Sequence, residues 1–578
     1  MRSIRYTSSP LLAAKTPGWR SKFVLGALAV GFLALTARAA YVQVFDSAFF
    51  KHQGDVRFVR TLDLPASRGR IFDRNGVLLA SSVEAPSIWA APDDLNASDA
   101  QLRQLAKLLD MPLAALNDKL ADRAKSFVWL KRQVDLDVAR RIATLKIPGV
   151  HEQKAYKREY PEGQAVAQVV GFAGVENHGQ EGAELEFDSR LAGKAGSRKV
   201  IKDRMGHVVE VVGEEKPPVD GQDIQLSIDS RIQFYAFEKL REMVTEHHAK
   251  SGSAVVLDPR TGEILALANY PSYSPNDRGD LSGSDLRNRA LTDTFEPGST
   301  IKPFTIAMAL QAGKVTPTTL IQTAPGSYKL DRFTIRDTHD YGTLTVAGVI
   351  QKSSNIGALK IGTRLQPQYM WDTYQALGYG RKPDIAFPGA ASGVVHYWKS
   401  WRPVEQATMS YGYGISVSLL QLAHAYTVFA RDGDIIPLTL LRKPDGTRTP
   451  GVRVFSEKTT REVRAMLGLV TKPGGTAPLA QTVGYTTGGK TGTAREQAGR
   501  GYGNKYRASF VGMAPLDDPR VIMAVTISAP QGGVYYGGAL AGPVFSAVVG
   551  RALRFMGVRP DKEVKPEIVA SEGPEGKS

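Results

Sequence analysis

With 578 residues, 42% of them hydrophobic and 22% charged, the chain is too long for one compact core and too apolar to stay unfolded, so two or more folded domains are expected. It contains no cysteine, which excludes a disulfide scaffold, a thiol nucleophile and a thiolate metal site. The formal net charge is +16, yet Arg2, Arg5, Lys15, Arg20, Lys22 and Arg38 supply six of those charges within acid-free residues 1–45, and the rest is spread without a Lys/Arg block, so no nucleic-acid partner is expected.

Phe23–Leu35 is an unbroken run of apolar and small residues, and Ala39–Val44 extends it past Arg38. Residues 23–44 are therefore read as a transmembrane anchor, since about 20 residues rising 1.5 Å each cross a ~30 Å hydrocarbon layer. Arg38 lies near the far end, where its stem can reach the headgroups. Basic residues precede the span, so residues 1–22 are expected to be a cytoplasmic tail and the bulk of the chain exported. Ala37-Arg38-Ala39 also fits a signal-peptidase site, but the apolar run continues beyond it and favours a retained anchor.

Residues 45–59 read as a juxtamembrane linker. Asn75-Gly76 between apolar runs predicts a hairpin with a type I′ turn. Leu102, Leu105, Leu108 and Leu109 recur at helical spacing, so residues 100–145 read as helical. Gly171–Gly196 reads as irregular with short helical pieces. The Pro- and Glu-rich stretch Glu214–Gly221 is a linker by composition and divides a domain of residues 60–220 from one of 221–557.

In the second domain Ile224–Ile228 reads as a strand, and Ser230 caps a helix with the stripe Gln233, Ala236, Phe237, Leu240, Met243 and Val244, broken only by Gln233. Ala254–Leu257 with Ile264–Ala268, and Ser509–Ala514 with Val521–Ser528, read as hairpins. Strands and helices without βαβ alternation predict an α+β domain, mainly antiparallel sheet flanked by helices. Residues 558–578, rich in Pro, Glu, Lys and Gly, read as a disordered tail.

Glu296-Pro-Gly-Ser-Thr-Ile-Lys-Pro303 carries the chemistry. Ser299 and Lys302, three apart, share one face of a helix. Pro303 is tolerated only in a first turn, so the helix must begin near Ser299 and place its hydroxyl among unpaired N–H groups. A lysine acts as base only when neutral, and burial or a second cation lowers its pKa. Lys490-Thr491-Gly492-Thr493 offers that cation, with a glycine that admits close approach of substrate. Ser353-Ser354-Asn355 lies between the two, at a plausible helix start, with a hydroxyl to relay a proton and an amide to hold a peptide carbonyl. The order Ser-x-x-Lys, Ser-x-Asn, Lys-Thr-Gly is the signal, since each motif alone is common.

Gly484-Tyr-Thr-Thr-Gly-Gly-Lys-Thr491 also matches a phosphate-binding P-loop, but the residues after it are poor helix formers. No Gly-x-Ser-x-Gly elbow and no His-Glu-x-x-His site occurs, and His247 and His248 diverge on a helix. No cofactor or metal is expected.

These motifs resemble those of class B penicillin-binding proteins. The resemblance extends from the anchor to about residue 555 and includes Arg68-Gly-Arg-Ile-Phe-Asp-Arg-Asn-Gly76, Arg158-Glu-Tyr-Pro161, Asp258–Ala268, Tyr411-Gly-Tyr-Gly414 and Ser509–Pro515. Asn288–Ser299 resembles the septal, cell-division branch. The resemblance implies an elongated pedestal of the dimerisation type at 60–220 and a D,D-transpeptidase domain at 221–557. That enzyme cross-links peptidoglycan stem peptides ending in D-Ala-D-Ala and is acylated by β-lactams.

By the same resemblance, Ser299 is the nucleophile, Lys302 the general base, Ser353 a proton relay and Asn355 a substrate clamp. Lys490 and Thr491 hold the terminal carboxylate, and the N–H groups of Ser299 and Thr493 form the oxyanion hole. It further implies a polytopic division glycosyltransferase and other divisome proteins as partners. Ala390 stands after Phe387-Pro-Gly389 where the family often carries Glu. A D,D-carboxypeptidase, a β-lactam-hydrolysing or -sensing relative, and an elongation-type transpeptidase share the acylation motifs and stay open as alternatives.

Overall fold

The computed structural model of the chain describes residues 17–45, 59–202, 208–212, 214–279, 283–498 and 501–563. Most of the expected cytoplasmic tail (1–16), most of the juxtamembrane linker (46–58) and the last part of the carboxy-terminal tail (564–578) lie outside the described residues. Helix α1, Gly18–Ala40, continues through a π turn at Tyr41–Phe45 and buries none of its residues. Gly18–Val44 is long and apolar enough to cross a membrane. The helix starts five residues before the apolar run because Trp19, Arg20, Ser21 and Lys22 are all helix-compatible and Pro17 suits the position before a first turn.

The first domain is built on a four-stranded sheet ordered Ile224–Gln225, Ile71–Phe72, Leu78–Glu84, Tyr156–Glu159. A smaller three-stranded sheet has Ser87–Ala90 at its centre between Val128–Lys131 and Val150–Gln153. Helices Asp99–Leu108, Leu113–Leu120 and Leu136–Thr144 close a separate apolar core over it. Residues 100–145 are thus not helical throughout: Val128–Lys131, led by the aromatic and β-branched residues Phe127, Val128 and Trp129, forms an edge strand instead. Gly182–Glu186 and Asp188–Leu191 are the short helices expected within 171–196.

The Asn75-Gly76 hairpin is present, but its turn is not type I′. Only Gly76 has positive φ (85°). The Asp73 carboxylate accepts the N–H groups of Asn75 and Val77 (2.7 and 2.8 Å), so a side chain closes the turn in place of a second left-handed residue. Arg68, 1% exposed, donates to Glu184 (2.5 Å) and Asp188 (2.6 Å), while Arg158 donates to the other oxygen of Glu184 (2.6 Å). Two guanidiniums therefore compensate one fully buried carboxylate, and removing any member leaves an uncompensated charge.

Ile224–Gln225 is shorter than the expected 224–228 strand and pairs in parallel with Ile71–Phe72. It lies beyond the expected 220/221 division yet completes the first domain's sheet. Helix α2, Ser230–Glu246, follows at once. Its cap is Asp229, whose carboxylate accepts from Arg231 N (3.1 Å). Ser230 is already helical, and its N–H and hydroxyl donate to Asp73 (3.1 and 2.9 Å).

The second domain is organised by a five-stranded antiparallel sheet. Its strands are β1 (Ser251–Leu257), β2 (Ile264–Tyr270), β3 (Gly488–Ala498), β4 (Gly501–Ala514) and β5 (Val521–Ser528), in spatial order β2-β1-β5-β4-β3. Both expected hairpins are present, β1 with β2 and β4 with β5. Helix α2 packs on β2, and the long helix Gly537–Phe555 packs on β4, β5 and α2. Gln233, the apparent flaw in the α2 stripe, is buried for a reason: β2 is an edge strand. The Gln233 amide accepts from Leu267 N (2.7 Å) and donates to Leu267 O (3.1 Å) and Ala165 O (2.6 Å), so a side chain pairs with the free strand edge.

Residues 558–563, expected to begin a disordered tail, are instead tied to the fold. Val558 O accepts from Tyr485 OH (2.7 Å), the Asp561 carboxylate accepts from Thr486 N (2.7 Å), and Asp561 N and Lys562 N donate to Gly484 O (3.1 and 3.2 Å).

Candidate active site

Ser299 sits in a 3₁₀ turn, Gly298–Ile301, that runs into helix α3, Lys302–Gln311. Pro303 occupies the first turn of α3, as its missing N–H requires. Phe304, packed against Tyr379, Tyr426 and Phe429, roots the helix in the core. Tyr426 OH donates to Thr300 O (2.8 Å) and Gly298 N donates to Gly412 O (3.0 Å), fixing the Ser299 turn from two sides. A Cβ on Gly412, whose φ is +91°, would stand 2.0 Å from Gly298 O. The Tyr411-Gly-Tyr-Gly414 motif is therefore a backbone-to-backbone seat for the serine turn.

Lys302 reaches back to Ser299 at 2.9 Å between Nζ and Oγ. It also contacts Ser353 O (2.5 Å), Ser353 Oγ (3.2 Å) and Asn355 Oδ1 (2.8 Å), and none of its surface is exposed. Burial pulls the Lys302 ammonium down to about 7, with Asp337 pulling weakly the other way. Lys490 is equally buried, and its Nζ lies 2.9 Å from Ser353 Oγ. Burial, and secondarily repulsion from Lys302, pushes it well below the ordinary lysine value. The second cation is thus not what depresses Lys302: burial does that, and Lys490 bears the repulsion.

Ser353 ends helix α4, Val346–Lys352, in a left-handed conformation (φ 60°, ψ 37°), an unfavourable position for a residue with a Cβ. Helix α5, Asn355–Gly362, begins two residues later with Ser354 as its cap. Asp337 holds this junction. Its carboxylate accepts from Ser354 Oγ (2.5 Å), Asn355 N (2.5 Å) and Ile356 N (3.1 Å), an anion at a helix amino-terminus. Arg336 O accepts from Asn355 Nδ2 (2.9 Å), which leaves the amide oxygen turned to Lys302.

Lys490–Thr493 lie on β3, the edge strand that borders the serine turn. A strand here, with Lys490 buried near its start, removes the P-loop alternative, which needs a helix after Lys-Thr. Thr491 Oγ1 is 2.8 Å from Thr476 Oγ1, and Thr493 Oγ1 accepts from Gly537 N (3.1 Å). A Cβ at Gly492 would meet Thr300 Cγ2 at 3.0 Å and Pro297 O at 3.1 Å, so glycine lets the strand approach the Ser299 turn.

All eight expected residues, Ser299, Lys302, Ser353, Asn355, Lys490, Thr491, Gly492 and Thr493, therefore converge. Asp337 and Thr476 join them without a motif of their own; only their tertiary approach reveals them. Ser299, Ser353, Asn355 and Thr493 are partly open to solvent, whereas both lysines are sealed beneath them. A polar cavity of about 480 Å³, lined by Glu296, His396, Arg495, Glu496 and Arg507 among others, adjoins the segments that flank Ser299 and Thr493. A hydroxyl in line with a near-neutral lysine, beside N–H groups of a helix start and an edge strand, is the equipment of serine acyl transfer.

Comparison with known proteins agrees with that chemistry. Residues 252–550 match the family described as "Penicillin binding protein transpeptidase domain", and residues 63–226 match "Penicillin-binding Protein dimerisation domain". The chain belongs to the class B penicillin-binding proteins, a family of serine acyl-transfer enzymes. It is 46% identical over 559 residues to the probable peptidoglycan D,D-transpeptidase PenA of Neisseria gonorrhoeae, covering 96% of each chain. It is 38% identical over 565 residues to the peptidoglycan D,D-transpeptidase FtsI of Escherichia coli K12, covering 96% of this chain and 95% of that one. Among solved structures, the transpeptidase domain of Burkholderia pseudomallei penicillin-binding protein 3 is 52% identical with a TM-score of 0.54, covering 58% of this chain and 98% of that one.

Proposed function

We propose that the protein is a peptidoglycan D,D-transpeptidase that acts at the division septum, anchored by α1 with its catalytic domain on the periplasmic side of the inner membrane. The observation that carries the catalytic reading is the 2.9 Å contact between Ser299 Oγ and a Lys302 that burial brings to about 7.

With Lys302 neutral, the hydroxyl donates to Nζ, and Ser299 Oγ attacks the carbonyl carbon of the penultimate D-alanine as its proton passes to the lysine. The N–H groups of Ser299 and Thr493 receive the developing oxyanion. Asn355 holds the peptide backbone, and Lys490 with Thr491 faces the terminal carboxylate, whose charge restores a compensating partner to the buried ammonium. Ser353, within reach of both lysines, passes the proton to the leaving amine, and D-alanine departs. An amine from a neighbouring stem peptide then reverses these steps to form the cross-link. β-Lactams enter as mimics of the donor and stop at the acyl-enzyme.

The septal assignment is supported by the Asn288–Ser299 segment and by full-length similarity to FtsI, although identity to PenA is higher. A polytopic glycosyltransferase and other division proteins are its expected partners in the membrane.

The test is mass spectrometry of the full chain labelled with fluorescent penicillin, followed by complementation of a division transpeptidase depletion strain. The adduct should map to Ser299, persist for many minutes and vanish in Ser299→Ala, which should fail to restore septation. Rapid drug turnover would identify a hydrolase, rescue of elongation alone would identify the other branch, and full rescue by Ser299→Ala would refute catalysis.

A further inference from the structure

Lys352 is the last residue of α4, directly before the left-handed Ser353. Its Nζ donates to Gly474 O at 2.9 Å. Gly474 belongs to the tight connection between helix α6, Glu457–Val470, and the short turn Pro478–Ala480. Both ends of this connection are tied down: Thr471 Oγ1 donates to Thr487 O (2.8 Å), and Ala477 N donates to Val470 O (3.0 Å). Its middle is exposed, and a Cβ at Gly474 would meet only Lys352 Nζ, at 3.7 Å, so Lys352 is the side chain that ties it down. Gly474 has φ +81°, and a Cβ on Gly475 would stand 2.2 Å from Val470 O. Two residues beyond Gly474, Thr476 presents its hydroxyl to Thr491 at 2.8 Å.

A chain of fixed contacts therefore runs from the proton-relay serine, through its neighbour Lys352, to Gly474, Thr476, Thr491 and Lys490, and back to Ser353 Oγ. The loop closes on itself around the place where a terminal carboxylate is held.

We propose that Lys352 is a positioning residue for substrate specificity: by holding Gly474 it sets the Thr476 hydroxyl against Thr491, and so makes recognition of a free terminal carboxylate on the acyl donor depend on the Ser353 turn. This rests on the proposed carboxylate clamp. Lys352 touches neither nucleophile nor leaving group, so its loss should weaken selection of the donor and leave intrinsic acylation intact. A lysine is suited to the task because a flexible stem ending in a charged donor reaches a backbone carbonyl that no neutral side chain of that length satisfies.

Because the chain contains no cysteine, Lys352→Cys can be converted by bromoethylamine to an aminoethyl-cysteine of lysine-like length at that site alone. Ser299 acylation should be followed in the full chain in detergent with two thioester donors, an acyl-D-alanyl-thioglycolate and its methyl ester. Wild type should prefer the carboxylate. In Lys352→Met the half-saturating concentration of the carboxylate donor should rise roughly tenfold with little change at saturation, the methyl ester should be unaffected, and aminoethylated Lys352→Cys should regain the preference.

Retained preference in Lys352→Met, or a parallel loss with both donors that aminoethylation does not reverse, would overturn the inference while leaving the transpeptidase reading in place. A wild-type enzyme acylated at Ser299 but indifferent to the carboxylate would remove the clamp and this inference with it. Absence of Ser299 acylation by either donor would refute the underlying function itself.

Discussion

Lys302 and Lys490 meet on a single hydroxyl: Ser353 Oγ lies 3.2 Å from one ammonium nitrogen and 2.9 Å from the other, and both lysines are wholly buried. Two desolvated ammonium groups this close oppose each other's protonation; that repulsion falls on Lys490, while burial brings the lysine beside Ser299 toward neutrality.

Acylation should therefore follow pH. Lys302 works as a base only without its proton, so the second-order rate of penicillin acylation should climb from pH 6 and level off above about 7. Stopped-flow or gel-based labelling across pH 5.5–8.5 measures it, and a flat or falling profile would contradict the assignment. The same shift touches stability. Because the folded value lies below that of an unfolded lysine, near 10.4, the unfolded chain binds more protons between the two values. Burying Lys302 thus destabilises the fold most below pH 7, and that cost fades as pH rises. The excess thermal stability of Lys302→Met over wild type should narrow between pH 7 and 9.

Asp337→Ala should act on both stability and rate. It deprives the start of α5 of its anionic cap, worth about 1–2 kcal/mol at such positions, and frees the junction that keeps Ser353 left-handed. A lowered melting temperature should accompany an acylation rate roughly tenfold below wild type. Asp337→Asn, which retains an acceptor oxygen, should recover part of both. Melting and labelling of the three proteins side by side distinguish this from a purely structural effect.

Asp337 also marks what a sequence can and cannot convey. Ser299 with Lys302, and the Lys490–Thr493 strand, were legible because their chemistry depends on spacing within one element. Asp337, 17 residues before Ser354, and Thr476 act by tertiary approach, which leaves no local pattern. Gln233 shows in the sequence only as a break in the apolar stripe of α2, since an edge strand's need for a partner appears only once the sheet order is known. The turn at Asn75-Gly76 was placed correctly and typed wrongly, because a carboxylate two residues back supplied what backbone conformation was expected to supply. In residues 100–145 the helical leucine spacing was extrapolated across a strand whose own residues favoured β structure.

Two glycines should respond very differently to alanine. At Gly412 the new methyl would meet Gly298 O at 2.0 Å in a left-handed backbone, so Gly412→Ala should displace the nucleophile turn and lower acylation by about 100-fold or more. At Gly492 the nearest atoms stand at 3.0 and 3.1 Å, and shifts of tenths of an ångström relieve them. Gly492→Ala should fold normally and lose less activity than Gly412→Ala. The reverse order in penicillin labelling would show that Gly298 is not seated as described.

The residues after the last helix should matter to stability. Truncation after Gly557 removes the acceptor of Tyr485 OH and the Asp561 contacts to Gly484 and Thr486. Relative to a chain truncated after residue 563, it should lower the melting temperature by a few degrees without changing the acylation rate. Differential scanning calorimetry of both truncations provides the comparison.

The junction between the two domains has a mechanical consequence. Ile224–Gln225 completes the first domain's sheet, and after four intervening residues the chain becomes α2, whose first turn is gripped by Asp73 from that same sheet's hairpin. α2 in turn pairs the free edge of β2 through Gln233. No slack spacer separates the two bodies, so any rotation of one against the other must act on α2 and on the edge of β2. The pedestal is thus geared to the enzyme it carries, like a lever arm on a rigid axle.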